Sequence, residues 1–344
     1  MGSCVLEVDC AGCISSSRWK ILLALLLLSL TAVLQIGPRS IYHTSIDERS
    51  GVIQAAELPC LSVDSTYWAM RYAVGLNIDA IGRSVVETND GRIVMVGTNG
   101  AANFWLTKID HDGTALWQRS YGGESNDYLY AVAQTQDNGF ILTGCSGSFP
   151  DIWILKLDSL GNIHWQKNYN GSGANRGYSI KQTSDGGYIA TAYSRPVSND
   201  EDFLILRLDA NGNLTWNRKF GGDLPDPAHT IRETLDGGFI VAGRSDSLFA
   251  RAGSAWVIKL DADGSIVWQK LYGRSWNEVN SVELASGGGY LLAGSSLGQS
   301  GWLLRLYPDG EMLWEKKYTT VEMNSELNEI KTTSDGGYIA VGTL

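Results

Sequence analysis

Residues suited to acid–base catalysis are scarce in this sequence. It has four histidines, His43, His111, His164 and His229, and none has the spacing of a catalytic triad or a zinc motif. The 37 acidic residues are too many for one pair to be singled out as the carboxylates of a hydrolase. The sequence therefore identifies no catalytic residue.

Two short segments resemble parts of a calcium loop, 110–113 (DHDG) and 261–264 (DADG). Both lack the remaining ligands and the bidentate Glu of such a loop. A tight turn by itself accounts for Asp and Gly at these positions, so calcium is the less favoured alternative. Cys10 and Cys13 have the spacing of a metal knuckle, but no second pair lies near them. We expect no metal site.

Polar residues recur ten positions before a repeated Asp-Gly-Gly turn. These residues are Asp127, Asn175, Asp226 and Asn277, with Ser325 in the last copy. If the repeats are symmetric, the side chains form a ring near one mouth of a central channel, where they could bind a ligand. Capping of the following strand by Asp and Asn accounts for the same residue types and is the favoured interpretation.

Other residues beside these loops have no role common to all repeats. Because loops carry function on rigid scaffolds, we expect such departures to mark a ligand site. The candidates are Arg176, His229, Arg244, Trp276 and Glu278.

The elements that position these residues are clearest in residues 151–190. The apolar run 152–157 predicts a buried strand, and a turn ending at Gly161 leads into residues 164–169, which alternate with a period of two. Two further strands flank the Ser-Asp-Gly-Gly turn at 184–187. The segment 151–190 thus predicts four antiparallel strands.

This segment repeats along the chain, with a hairpin glycine followed four residues later by tryptophan. The pairs are Gly113 and Trp117, Gly161 and Trp165, Gly212 and Trp216, Gly264 and Trp268, and Gly310 and Trp314. Successive pairs are 46 to 52 residues apart. A period near 50 made of four short strands is typical of β-propeller blades, and we expect each Trp to pack on the next blade.

A basic residue precedes each hairpin turn. We expect its stem to lie on apolar surface with its charge free. The residues are Lys108, Lys156, Arg207, Lys259 and Arg305.

Closure of the repeat predicts an all-β, six-bladed propeller of four-stranded antiparallel blades. The chain ends after two strands of a last blade, 327–333 and 337–343, and residues 58–72, with Trp68 in the place of the repeat tryptophan, would supply the missing two. Leu61 and Val63 would then lie beside Ile339 and Val341. A chain cut short is the competing interpretation.

The segment KLDSLGNIHWQK resembles the docking motif of quinoprotein (PQQ-repeat) propellers, with a turn one residue shorter. The whole unit is still more similar to the DGGYI…KLDxxGxxxW repeats of secreted and surface proteins from bacteria and archaea. The resemblance covers about residues 58–344 and implies the fold, but no particular function. The Arg, Asp and metal-ligand residues that hold the quinone in quinoproteins cannot be assigned here, so PQQ stays a low-ranking possibility beside calcium.

Composition agrees with an all-β chain, since 344 residues include 40 Gly, 12 Trp and 15 Tyr. The formal net charge of −10 argues against nucleic acid or an anionic membrane surface as the main partner.

The N-terminal part predicts export. A short head (1–20) containing Cys4, Cys10 and Cys13 precedes an apolar run (21–36), then a polar tether (37–57) and the propeller (58–344). Basic residues before the run place the head in the cytoplasm and the propeller outside. An uncleaved signal anchor is favoured over a cleaved signal peptide, which would leave a secreted protein. Cys60 and Cys145 could form a disulfide or remain buried thiols.

We therefore expect a membrane-anchored, extracytoplasmic binding scaffold whose ligand is a surface glycan or a protein. The alternative is an enzyme, either a quinoprotein-like dehydrogenase or a glycan-active hydrolase.

Overall fold

The computed structural model describes residues 5–8, 42–46, 53–57, 80–99, 103–123, 127–147, 151–169, 174–195, 202–248, 253–273, 276–319, 325–333 and 335–343. Their strands are β1 (Val5–Val8), β2 (Tyr42–Ile46), β3 (Ile53–Glu57), β4 (Ala80–Glu87), β5 (Ile93–Asn99), β6 (Phe104–Ile109), β7 (Ala115–Tyr121), β8 (Tyr128–Gln134), β9 (Phe140–Ser146), β10 (Asp151–Leu157), β11 (Ile163–Tyr169), β12 (Ala174–Gln182), β13 (Tyr188–Arg195), β14 (Asp202–Leu208), β15 (Leu214–Phe220), β16 (Ala228–Glu233), β17 (Phe239–Ser245), β18 (Ser254–Leu260), β19 (Ile266–Tyr272), β20 (Glu278–Leu284), β21 (Tyr290–Ser296), β22 (Ser300–Leu306), β23 (Met312–Tyr318), β24 (Glu326–Thr332) and β25 (Tyr338–Thr343).

These strands form six sheets in the described part of the chain. Five have four strands each, taken in chain order: β4 to β7, β8 to β11, β12 to β15, β16 to β19 and β20 to β23. The sixth has five strands in the order β24-β25-β1-β2-β3. The prediction of repeated four-stranded antiparallel units, the strand pattern of propeller blades, is confirmed.

The chain divides into two compact units, and the larger is Met70–Val279. It contains the four sheets from β4 to β19. The strands in the middle of each sheet are buried on both faces, as in β10, whereas the last strand alternates between exposed and half-buried positions, as in β11. A continuous apolar run therefore marks a strand inside the sheet, and alternation of apolar and polar residues marks the last strand of the sheet.

Tryptophan packing joins successive sheets of this unit, as predicted. Trp117 packs edge-on against Phe140 of the next sheet, with ring centroids 6.1 Å apart. The corresponding distances are 5.7 Å from Trp165 to Tyr188 and 6.0 Å from Trp216 to Phe239. Each Trp thus meets the aromatic residue that follows the Asp-Gly-Gly turn of the next repeat.

Two features of the structure explain why glycine occupies the hairpin positions. Gly212 has a φ of 72°, and a Cβ placed on it would lie 2.7 Å from the Trp165 ring of the preceding sheet. Its carbonyl also accepts a hydrogen bond from the Tyr169 hydroxyl at 2.5 Å. A larger residue would disturb both the turn and the contact between sheets.

The prediction that the basic residue before each turn keeps a free charge is wrong. Lys156 Nζ lies 2.7 Å from Oδ2 of Asp137, the aspartate of the Asp-Gly-Gly turn in the same sheet, and donates to the Leu157 carbonyl at 2.9 Å. The same pair recurs in three other sheets: Lys108 with Asp90, Arg207 with Asp185, and Lys259 with Asp236. The Lys156 side chain is only 3% exposed, so its ammonium needs a partner.

Burial alone would raise the pKa of Asp137, but hydrogen bonds from Lys156, Thr135 and the Gly139 amide outweigh it and lower the pKa to about 2. Asp236 is in the same situation with Lys259, and its pKa is also about 2. Both carboxylates are therefore ionised at neutral pH.

The second unit combines Met1–Ala69 with Asn280–Leu344. Its core contains Leu303 with Leu327, Ile330 and Tyr338, and Trp314 packs against this cluster. Trp268 is half-buried on β19 of the other unit. Trp68 lies outside the described residues.

The predicted pairing of Leu61 and Val63 with β25 is wrong. The neighbours of β25 are β24 and β1, with Val5 opposite Val341 and Glu7 opposite Ile339. The prediction used the rule that an unpaired strand edge needs a partner strand. That rule does not say which segment of the chain supplies the partner. The segment 58–72 lies outside the described residues.

The predicted tether contains the hairpin of β2 and β3, and β2 runs parallel to β1. The predicted span 21–36 lies outside the described residues. Within the described part of the chain, no helix has the length and apolar character needed to cross a membrane.

Candidate functional site

A β-bulge recurs in the first strand of five of the described sheets. The register shifts by one residue between Leu129 and Ala131 in β8, which leaves Tyr130 without an opposing residue. The same shift isolates Arg83 in β4, Tyr178 in β12, His229 in β16 and Asn328 in β24. Bulges re-aim side chains and are frequent beside functional sites.

Glycine opposite the bulge permits this geometry. A Cβ on Gly144 would lie 2.0 Å from the Tyr128 carbonyl oxygen, and one on Gly243 would lie 2.0 Å from that of Pro227. In these two sheets the partner strand leaves room for the bulge because it lacks a side chain there, whereas in β13 the equivalent residue is Ala192, opposite Gly177 of the bulged strand.

Four bulged residues of the larger unit form a continuous row, which we term the bulge cluster: Arg83, Tyr130, Tyr178 and His229. The Arg83 guanidinium lies 5.8 Å from the centre of the Tyr130 ring. The Tyr130 and Tyr178 rings are 5.0 Å apart, and Tyr178 is 5.7 Å from the His229 ring. One residue from each of four sheets thus contributes to one surface.

An ionic network extends the row at its histidine end. His229 Nε2 lies 2.6 Å from Glu278 Oε1, and Arg244 Nη1 lies 3.9 Å from Glu278 Oε2. Arg244 also donates to Asp246 at 3.1 Å. Burial acts to raise the pKa of Glu278, but His229 and Arg244 outweigh it and lower the pKa. An ionised Glu278 orients the imidazole of His229, as the acid of a general-base dyad does.

Arg176 joins the row through Tyr193. Its guanidinium is 5.8 Å from the centre of the Tyr193 ring, and Tyr193 in turn lies 5.8 Å from Tyr178. No carboxylate lies within 4.0 Å of the Arg176 or Arg83 guanidinium among the described residues. The Arg176 Nε is buried and has no hydrogen-bond acceptor in that part of the chain.

Trp276 is the most exposed aromatic residue near the network. Its side chain is 64% exposed, and its φ is 50°. A bulky residue rarely adopts this left-handed conformation, which costs about 1–3 kcal/mol. The fold does not require a large apolar side chain at such a position.

The ring of polar residues is brought to equivalent positions, but it is buried. Asp127, Asn175, Asp226 and Asn277 are at most 3% exposed. Asp226 accepts hydrogen bonds from the amides of Gly222 at 2.9 Å and Asp246 at 3.0 Å. These contacts hold loops together, as the capping alternative requires.

Sequence reasoning identified Arg176, His229, Arg244, Trp276 and Glu278, and four of these five lie in or beside the site through the contacts above. It missed four others: Arg83, Tyr130, Tyr178 and Tyr193. The sequence does contain a signal for three of the bulge positions. Tyr130, Tyr178 and His229 each stand three residues after a member of the buried polar ring.

The calcium-like segments are turns. Asp261 Oδ1 accepts the amides of Asp263 at 3.0 Å and Ser265 at 2.8 Å, and Asp112 Oδ1 accepts that of Thr114 at 2.9 Å. No group of three His, Cys, Asp or Glu side chains suited to a metal ion occurs among the described residues. Cys145 is a buried free thiol whose pKa burial raises to about 11.

No protein-family model and no curated protein sequence matches this chain. Solved structures resemble it. A protein of unknown function from Bacteroides caccae is 13% identical, with a TM-score of 0.46, over 65% of this chain and 72% of that one. A puromycin hydrolase is 14% identical, with a TM-score of 0.47, over 67% and 38%. The extracellular domains 1–2 of Drosophila Semaphorin 1b are 9% identical, with a TM-score of 0.43, over 77% and 73%. At these values the similarity assigns no function, so the function must be argued from side chains.

Proposed function

We propose that this protein is a binding module whose ligand contacts the bulge cluster. The observation that supports this is the row of Arg83, Tyr130, Tyr178 and His229, which places three different residue types at one geometric position. The tryptophan contacts that repeat between successive sheets use other residues, so that packing does not account for this row. Aromatic faces with a few polar groups among them are typical of ligand sites.

The proposed scaffold is a closed six-bladed β-propeller with the bulged strands innermost. In that arrangement the bulge cluster lines one side of the central channel. Trp276 adds a further aromatic face at its rim.

The proposed ligand is a glycan. Tyrosine and tryptophan rings contact the C–H faces of sugar rings, while Arg, His and Glu side chains provide hydrogen bonds to hydroxyl groups. A protein ligand, the alternative, would also use Trp276, because exposed Trp residues are frequent hot spots.

Glycan-array binding followed by calorimetry tests the proposal. Tyr178→Ala should abolish the binding found for the wild-type protein. Tyr307→Ala is the matched control, since Tyr307 is 47% exposed in the hairpin turn between β22 and β23, which contributes no residue to the bulge cluster. Glycan binding that survives Tyr178→Ala and Trp276→Ala together would place the ligand elsewhere.

Hydrolysis of the bound ligand is a second candidate function, favoured by the 2.6 Å contact of His229 with Glu278. The imidazole would accept a proton from water, with Glu278 stabilising the charge that forms. Product release from a bound glycan, lost in His229→Gln, distinguishes an enzyme from a binding module. A quinoprotein-like dehydrogenase would instead show cofactor absorbance after addition of PQQ and calcium.

Export through residues 21–36 is also part of the proposal, and protease added to intact cells should digest the propeller. An uncleaved anchor would hold residues 1–20 across the membrane from β25, whereas β1 pairs with β25 here. Cysteines at Leu6 and Ala340, which face each other in this pairing, decide between the two in a variant without other cysteines. A cross-link in cells would exclude the anchored topology.

A further inference from the structure

We infer that Arg176 and Arg83, with Tyr130 and Tyr193, form a subsite for the anionic group of an acidic glycan. This inference rests on the proposed function and specifies its ligand: a saccharide carrying a carboxylate or a sulfate ester.

The first support is the distribution of charged partners around the site. Arg244 pairs with Asp246, and Glu278 lies 2.6 Å from His229. Among the described residues, no carboxylate lies within 4.0 Å of the Arg176 or Arg83 guanidinium. In a chain with a formal charge of −10, two arginines with no acidic partner in the described part of the chain, beside one aromatic surface, favour an anionic ligand.

The second support is the geometry of Arg176. The residue is half-buried, its Nε is buried, and the guanidinium lies over the Tyr193 ring at 5.8 Å. Stacking fixes the plane of the guanidinium, which favours bidentate binding of a carboxylate or sulfate. A buried Nε–H without an acceptor costs free energy that an anion would recover.

The third support is the position of Tyr130 beside Arg83, whose guanidinium lies over its ring at 5.8 Å. Burial raises the pKa of Tyr130, while Arg176 and Arg83 act in the opposite direction. The neutral phenol can therefore donate a third hydrogen bond to the same anion.

The experiment uses a glycan array with uronate-containing, sialylated, sulfated and neutral glycans, followed by calorimetry on the tightest ligand. We expect acidic glycans to dominate, with an affinity that falls as NaCl is raised. Arg176→Gln should weaken binding by at least about tenfold, the equivalent of one charge-assisted hydrogen bond, and Arg176→Lys should weaken it less.

Arg218→Gln is the matched control, because Arg218 lies 5.2 Å from the Trp216 ring on an outer strand and should leave affinity unchanged. Melting curves confirm that each variant folds. Carboxylated or sulfated ligands identify which anion the subsite takes. Binding of neutral glycans only, or unchanged affinity in Arg176→Gln, would overturn the subsite while the binding function stands. Absence of any glycan binding would overturn both.

Discussion

Two positions recur in every sheet of the larger unit, and they behave differently. At the aspartate turn all four sheets pair a basic residue with an aspartate, and in three of them an aromatic residue meets the tryptophan of the preceding sheet. At the bulge the backbone is equally regular, yet the side chains are Arg, Tyr, Tyr and His.

This difference separates structural from functional residues without any alignment. A side chain that repeats wherever the geometry repeats is explained by that geometry. A side chain that changes while the geometry is kept needs another cause, and at the bulge we attribute it to a ligand. Stability measurements on variants of the Asp-Gly-Gly turn region and of the bulge test this interpretation.

The largest effect is expected for Trp165→Ala at the structural position. Because Trp165 packs on Tyr188 and beneath Gly212 of the next sheet, its removal should destabilise the protein by about 3 kcal/mol, the lower end of the range for a core aromatic. Denaturant unfolding measures the change. A loss below about 1 kcal/mol would contradict its role between sheets.

Asp137→Asn comes next, because it leaves the buried Lys156 ammonium without its carboxylate. We expect a loss of about 2 kcal/mol, less than for a fully buried pair because Asp137 is 56% exposed. The double variant with Lys156→Met should recover most of the loss. Additive losses in this cycle would show that the two side chains are not coupled.

Acidification should remove the stabilisation that the Asp137–Lys156 ion pair provides. The folded pKa of Asp137 is about 2, below the unfolded value, so the pair stabilises the protein fully above about pH 4 and loses its effect as the pH falls through about 2. Unfolding free energies of wild type and Asp137→Asn should therefore converge in this window. A difference that stays constant down to pH 2 would mean that the ion pair is not its origin.

The smallest change in stability is expected at the bulge. Tyr178 is only half-buried, so Tyr178→Phe should change the unfolding free energy by less than about 0.5 kcal/mol and Tyr178→Ala by less than the Trp165 variant. The same unfolding experiment measures both. A loss in Tyr178→Ala as large as that in Trp165→Ala would make the bulge row a structural element.

Much of the fold was predictable from the sequence. The hairpin glycine and tryptophan, the Asp-Gly-Gly turn and the two-residue alternation are local signals, and they gave the four-stranded units and the contact of Trp165 with the next sheet. The partner of Lys156 was not predicted, because Asp137 is 19 residues away and is brought near only by the pairing of β9 with β10. The partner of β25 was not predicted either, since any extended segment satisfies a strand edge.

For the candidate site, the sequence by itself determined that Arg176, His229, Arg244, Trp276 and Glu278 depart from the repeat. Only the tertiary structure decided that Arg83, Tyr130, Tyr178 and His229 are neighbours. The reason is physical: these residues are 47 to 51 positions apart, and they meet because a bulge turns the same position of each sheet toward one surface. The tertiary structure also showed that Asp127, Asn175, Asp226 and Asn277 are buried. The sequence could not decide this, because a polar residue that caps a strand and one that binds a ligand have the same chemistry and differ only in what surrounds them.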